Sequence, residues 1–165
     1  MTRFKFITAA LLVTLLSIPS AVFALKKGEP FPALSGTTLA GESFNFNSIK
    51  GQPILLKVGT TWCPTCSQQS KEINDLHGFL VENKIKFVEV FIQESPKTVI
   101  KMFSKNGHHS PDVIIMDKGK IASKLNIYLI PRIILIDRDF NIYRDGDPLP
   151  SAALKQELQK MLTGE

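Results

Sequence analysis

The sequence predicts one α/β domain with helices on both faces of a mixed sheet. Three observations predict it. Strand-like and helical apolar patterns follow one another in the order β-α-β-α-β-α-β-β-α, Ile54-Leu55-Leu56-Lys57-Val58 is apolar almost throughout, and the last two strands flank a short polar turn. The first makes layers of helix on sheet the economical packing, the second marks a central strand covered on both faces, and the third adds an antiparallel pair.

The elements follow in chain order. Gly28-Glu29-Pro30-Phe31-Pro32 is extended, and Ala33 to Leu39 with Glu42 to Phe46 form a hairpin around Ala40-Gly41. After the central strand, Pro64 fits the first turn of a helix, where its missing N–H is not needed. Ile73, Leu76, Leu80 and Val81 continue that helix at three- and four-residue spacing. A strand over Ile85 to Ile92 precedes a helix opening near Ser95-Pro96 and carrying Val99, Ile100 and Phe103. Asn106 to Pro111 is a loop, Val113 to Met116 a short strand and Lys118 to Leu125 a short helix. Ile133 to Ile136 and Asn141 to Tyr143 are antiparallel neighbours, and Leu154, Leu158, Met161 and Leu162 mark a C-terminal amphipathic helix. No repeat or low-complexity segment interrupts the series.

Residues 1–24 stand apart from this domain, which occupies 25–165. Arg3 and Lys5 precede an apolar stretch from Ile7 to Ile18, and Pro19-Ser20 break it before Val22-Phe23-Ala24. This is the pattern of a signal peptide cleaved after Ala24, which implies export to the periplasm or another extracytoplasmic space. The competing reading is an uncleaved anchor, the only route by which the membrane would become a partner. The stretch is short against the roughly 20 apolar residues of a span, which favours cleavage.

Charge excludes more than it assigns. The chain carries a net charge of +5 at pH 7, and without Arg3 and Lys5 18 basic residues face 15 acidic ones, interspersed along the chain. A nucleic-acid partner would call for a clustered basic face, so none is expected.

Chemistry concentrates at Trp62-Cys63-Pro64-Thr65-Cys66, which holds both cysteines of the chain. Two cysteines three apart at a strand-to-helix junction can cycle between dithiol and disulfide. A helix N-terminus stabilises the attacking thiolate, and the second cysteine resolves the mixed disulfide. As a structural staple the pair would close too small a loop to stabilise much. As a zinc site it lacks a second Cys-x-x-Cys, leaving His77, His108 and His109 to complete it. An exported domain long enough to bury a full core needs no single staple, so a redox centre without a cofactor is the expectation. His77 lies eleven residues after Cys66, about three turns along the helix, too far to act on the sulfurs. His108-His109 read as a solvated loop pair, with metal or partner binding as the alternative.

With the N-terminal hairpin, Gly59-Thr60-Thr61-Trp62-Cys63-Pro64-Thr65-Cys66 and Leu129-Ile130-Pro131 before a strand, the chain resembles the TlpA/ResA-type thioredoxin-fold thiol–disulfide oxidoreductases. Pro96 to Asn106 matches the central helical insertion of that branch. The resemblance implies Cys63 as the exposed attacking thiolate and Cys66 as the buried resolving cysteine. It also implies a cis-proline at Pro131, with Ile130 offering backbone hydrogen bonds to an incoming polypeptide. Trp62 would be a partly exposed platform beside the sulfur, and Pro64-Thr65 would tune the redox potential.

Two residues depart from the family pattern. Lys57 stands six before Cys63, where thioredoxins carry a buried Asp. Beneath the site its ammonium would favour a Cys66 thiolate, and desolvation would make it a proton acceptor; alternatively it reaches the sheet edge and only balances surface charge. Gln69 stands three after Cys66, where many reducing members carry Glu, so that acid–base role is absent or has moved to Lys57 or Glu72. A surface helix position is the simpler expectation for Gln69. The branch implies reduction of protein disulfides, with apocytochrome c as one substrate and a membrane thiol carrier as electron donor, by a monomer. A disulfide-donating oxidase, a thiol peroxidase and a copper-binding module are the alternatives. The peroxidase pattern lacks its proline upstream of Thr60-Thr61-Trp62-Cys63.

Overall fold

The computed structural model describes residues 25–107 and 109–164. The leader read over residues 1–24, and His108, lie outside them. Seven strands form one mixed sheet: β1 (Ser35–Thr38), β2 (Ser43–Asn45), β3 (Ile54–Gly59), β4 (Lys86–Ile92), β5 (Val113–Asp117), β6 (Arg132–Ile136) and β7 (Ile142–Gly146), in the spatial order β2-β1-β5-β4-β3-β6-β7. β3, β4 and β5 are parallel to one another, while β6 runs antiparallel to β3 and β7 to β6. The hairpin β1–β2 docks antiparallel on β5, and Gly41 supplies the positive φ of its turn.

The helices are α1 (Pro64–Asn74), α2 (His77–Glu82), α3 (Pro96–Asn106), α4 (Lys120–Lys124) and α5 (Ser151–Thr163). Strand alternation sends the sheet's side chains into two cores. Ile54, Leu56 and Val58 of β3 pack with Phe31, Phe46, Ile121 and Leu125 on the α4 face. Leu55, Ile133 and Leu135 pack with Ile73 and Leu76, Leu80 of α2, and Leu154 and Leu158 of α5 on the other. Helix α3 covers that second face beside β4, where Phe103 meets Phe91 edge-on at 6.1 Å. β3 is buried at every position, as its apolar run predicts.

One helix expected from Pro64 to Val81 is two. An i→i+3 bond from Leu76 N–H to Ile73 C=O tightens the chain, and α2 starts afresh with Leu80 N–H bonded to Leu76 C=O. The break keeps Leu76 and Leu80 buried, as Ile73 is, but turns Val81 outward, 63% exposed, so the periodicity holds for three of its four members and fails at the last.

Candidate active site

The β3–α1 junction places the cysteines at the C-terminal edge of the central parallel strands. Cys63 is the N-cap of α1, with extended backbone (φ −84°, ψ 116°) and Pro64 at the first turn. Its Sγ accepts the Cys66 N–H at 3.1 Å and lies 3.2 Å from Thr65 Oγ1. These donors and the helix N-terminus present partial positive charge to that sulfur. Cys63 and Cys66 form a disulfide with Cα atoms 5.2 Å apart. Cys66 lies deeper, 1% exposed against 6% for Cys63. A Cβ at Gly59 would stand 3.0 Å from Cys66 Sγ, so the end of β3 packs tightly against that sulfur and a side chain there would have to displace it.

The Ile130–Pro131 bond is cis, as the motif predicts. Pro131 immediately precedes β6, the neighbour of β3, and Arg132 fixes the start of that strand by donating from Nε to Asp145 Oδ1 at 2.6 Å. The buried Asp145 carboxylate raises the Arg132 pKa above its ordinary value. Among the described residues the three most exposed large apolar side chains are Trp62 (74%), before Cys63, and Tyr128 (76%) and Leu129 (74%), before Ile130. Trp62, expected as a partly exposed platform, is largely exposed. The loop that carries it is tethered by Glu94, whose Oε1 accepts the Thr61 N–H at 2.8 Å and the Thr61 hydroxyl at 2.6 Å.

Of the two readings of Lys57, burial is the one realised. Its side chain is 2% exposed and donates to Glu89 of β4, equally buried, and to Ser70 Oγ at 2.7 Å. Ser70 Oγ in turn donates to the Cys66 carbonyl at 3.1 Å. The register dictates the ion pair, because Lys57 and Glu89 face each other across β3 and β4. Glu89 was missed from sequence, although a lone carboxylate within the apolar run of Ile85 to Ile92 was the signal for it, matching the lone lysine in β3.

The surface placement expected of Gln69 is wrong. Gln69 is 2% exposed, and its amide closes a two-way bridge: Nε2 donates to Leu149 C=O at 3.1 Å and Oε1 accepts Leu149 N–H at 2.8 Å. The amide, with one donor end and one acceptor end, satisfies a backbone unit of the segment before α5 that a carboxylate could not pair on both sides. Glu72, one turn on, accepts the Ser151 N–H at 2.8 Å and so caps α5, whose own N-cap position, Pro150, offers no side-chain acceptor.

That Ser151 N–H, followed by the Gln68 amide, lowers the Glu72 pKa below its ordinary value. A depressed native carboxyl contributes stability above its unfolded pKa and loses it as pH falls through the native one. Glu72→Gln should therefore lower Tm at neutral pH, with the difference from wild type closing as acid titrates Glu72. Scanning fluorimetry across the carboxylate range checks this.

His77 and His109 stack at 3.6 Å, 7° from parallel, on the α2 side of the molecule. Neither bonds to a cysteine, in keeping with the distance expected for His77. Among the described residues, no three or more of His, Cys, Asp and Glu gather as a metal site would require.

Residues 26–157 match the Redoxin family. The chain belongs to that family. Among curated relatives, this Redoxin chain is 29% identical over 113 residues to the thiol:disulfide interchange protein DsbE of Haemophilus influenzae, covering 67% of the chain and 60% of the relative. It is 23% identical over 140 residues to the thiol-disulfide oxidoreductase ResA of Geobacillus kaustophilus, covering 80% of each. The chain thus spans less than two thirds of the first relative's length and more of the second's. In fold it superposes on a thioredoxin-family thiol:disulfide interchange protein from Chlorobium tepidum with a TM-score of 0.70 at 22% identity, covering 83% of this chain and 97% of that one. It also matches StoA from Bacillus subtilis with a TM-score of 0.63 at 22% identity, covering 77% and 96%. The thioredoxin-like α/β fold expected from sequence is the one observed. Family, relatives and the Cys63–Cys66 pair together support thiol–disulfide oxidoreductase activity.

Proposed function

We propose that this chain is an exported thiol–disulfide oxidoreductase that reduces disulfides of protein substrates in the cell envelope. The observation that carries the reading is the asymmetry of the pair: one sulfur at a helix N-terminus beside two hydrogen-bond donors, the other enclosed behind it. Cys63 attacks a substrate disulfide and expels one thiolate. Cys66 then attacks Cys63 Sγ, expels the second thiolate and leaves the Cys63–Cys66 disulfide, which two electrons from a membrane thiol carrier reduce again. The exposed Trp62, Tyr128 and Leu129 suit an unfolded or extended polypeptide, with Ile130 and Pro131 as its backbone contact and Trp62 beside the reacting sulfur. Pro64 and Thr65 set the polarity around that sulfur. The basic, apolar leader over residues 1–24 supports export. The resemblance to the TlpA/ResA-type branch favours a place in cytochrome c maturation, with apocytochrome c thiols as the product, and we read the protein as a monomer.

Direction is tested by equilibrating the pair against defined thiol buffers. A reductase has a potential at or below the glutathione range, about −200 mV or lower, whereas a value near about −120 mV would make the protein a disulfide donor. The same preparation should show no turnover of hydrogen peroxide and no stoichiometric Cu(I) retention that is lost in Cys→Ser and His108→Ala variants.

A further inference from the structure

The described chain enters the fold along β7, an edge strand of the sheet. Gly28 N–H donates to Ile142 C=O at 2.7 Å, Ile142 N–H to Glu29 C=O at 2.8 Å and Phe31 N–H to Phe140 C=O at 2.9 Å. The Leu25 side chain packs against the core on the α4 face. Backbone pairing just downstream and packing of its own side chain thus fix the Leu25 nitrogen, which donates to Asp145 Oδ2 at 3.0 Å. The Asp145 side chain is 1% exposed, and its other oxygen accepts Arg132 Nε at 2.6 Å. A carboxylate so far removed from water needs compensating charge as well as hydrogen bonds. Asp145 has a cation on one oxygen and a single backbone N–H on the other.

Leu25 is also the residue that the Val22-Phe23-Ala24 pattern places first in the exported chain. We propose that Asp145 is the receiving site for the α-ammonium group of Leu25, formed when a leader peptidase cuts after Ala24. The inference rests on removal of the leader at that bond, and it is independent of the direction of electron flow. Hydrolysis adds one water across the Ala24–Leu25 peptide bond. It leaves a carboxylate on Ala24 and an ammonium on Leu25, the form in which a free N-terminus mostly stands at neutral pH. The nitrogen then carries a positive charge and three donors where it had one N–H. Its bond to Asp145 becomes charge-assisted, about twice as strong as the neutral one. Little has to move, because the nitrogen already lies 3.0 Å from its partner. Cutting the leader therefore frees the chain and ties down its first residue in one step. The same carboxylate holds Arg132, which follows Pro131, so the tie joins the new N-terminus to the strand that carries the cis-proline.

Mass spectrometry of the N-terminal peptide from the envelope protein should find Leu25 first. Another first residue, or an uncut leader, would overturn the proposal. Two forms of the oxidised protein then test the pairing, one beginning at Leu25 and one carrying Gly-Ser-Gly-Ser before it. The extension keeps the Leu25 N–H but moves the charge away. Guanidinium unfolding should give the form that begins at Leu25 a folding constant about tenfold larger, the scale of a hydrogen bond that gains charge. In Asp145→Asn, which keeps an acceptor oxygen but loses the charge, the two forms should unfold alike. Equal stability of the two wild-type forms, or the same gap in Asp145→Asn, would overturn the proposal. Should Asp145→Asn not fold, acylation of the wild-type amine decides. In the folded protein an N-hydroxysuccinimide ester should modify Leu25 about tenfold more slowly than it modifies a free peptide beginning Leu25-Lys26-Lys27, because the paired ammonium gives up its proton less readily. Reaction at the peptide's rate would overturn the pairing. Reduction of protein disulfides, measured on the same forms, reports the proposed function separately, and its failure would fall on that reading and not on this one.

Discussion

Replacing Cys66 with Ser should convert the protein from a turnover catalyst into a trap. Cys63 keeps its place at the α1 N-cap and keeps the Thr65 hydroxyl beside it, because those contacts come from backbone and Thr65 and not from the Cys66 sulfur. It therefore still attacks substrate disulfides, but no second thiol follows, and the mixed disulfide persists. Disulfide-linked adducts should accumulate in envelope fractions, disappear under reducing conditions and be absent from the Cys63→Ser/Cys66→Ser double variant. Non-reducing gels followed by mass spectrometry of the adducts identify the substrates directly. Haem-attachment polypeptides among them would place the protein in cytochrome c maturation, and a broad set would indicate general thiol rescue. An absence of adducts would remove the oxidoreductase assignment from Cys63. Catalysed reduction of a protein disulfide by either single variant should fall to the uncatalysed background, since each attack needs its own sulfur.

The second large effect concerns stability. Lys57 and Glu89 are both 2% exposed, so each neutralises a charge that the fold has taken out of water. Removing one partner strands the other, and either Lys57→Met or Glu89→Leu should cost about 3–5 kcal/mol in denaturant unfolding. The double variant replaces the pair by apolar side chains of similar length and should regain most of that loss, because a buried pair barely offsets its own desolvation. Guanidinium titrations of the four proteins, all in the oxidised form, give the coupling. A double variant as unstable as the singles would mean that Ser70, left without Lys57 as donor, matters more than the charges do. Recovery of stability without recovery of turnover would show that the pair is kept for chemistry and not for the fold.

Much of this protein is decided within short stretches of chain. The Cys-x-x-Cys spacing, Pro64 at the first helical turn, the apolar run of β3 and Leu129-Ile130-Pro131 before β6 each act over a few residues, so sequence alone reveals them and the α/β order they sit in. The bend between α1 and α2 was not legible, since the same apolar spacing suits one straight helix or two short ones; the tight turn at Ile73–Leu76 is set by what they pack against. Lys57 was visible as an oddity but ambiguous, because its role depends on which residue the neighbouring strand brings beside it. Glu89 is 32 residues away, and only the parallel register of β3 with β4 joins them. Gln69 is likewise buried by a partner 80 residues distant, Leu149, and Glu94 reaches Thr61 across 33. The Cys-x-x-Cys pair and the fold class are legible in the chain alone, since both follow from local spacing and period. The tertiary structure decided which polar groups stand behind those sulfurs, since strand register and helix packing bring together residues that no local pattern connects.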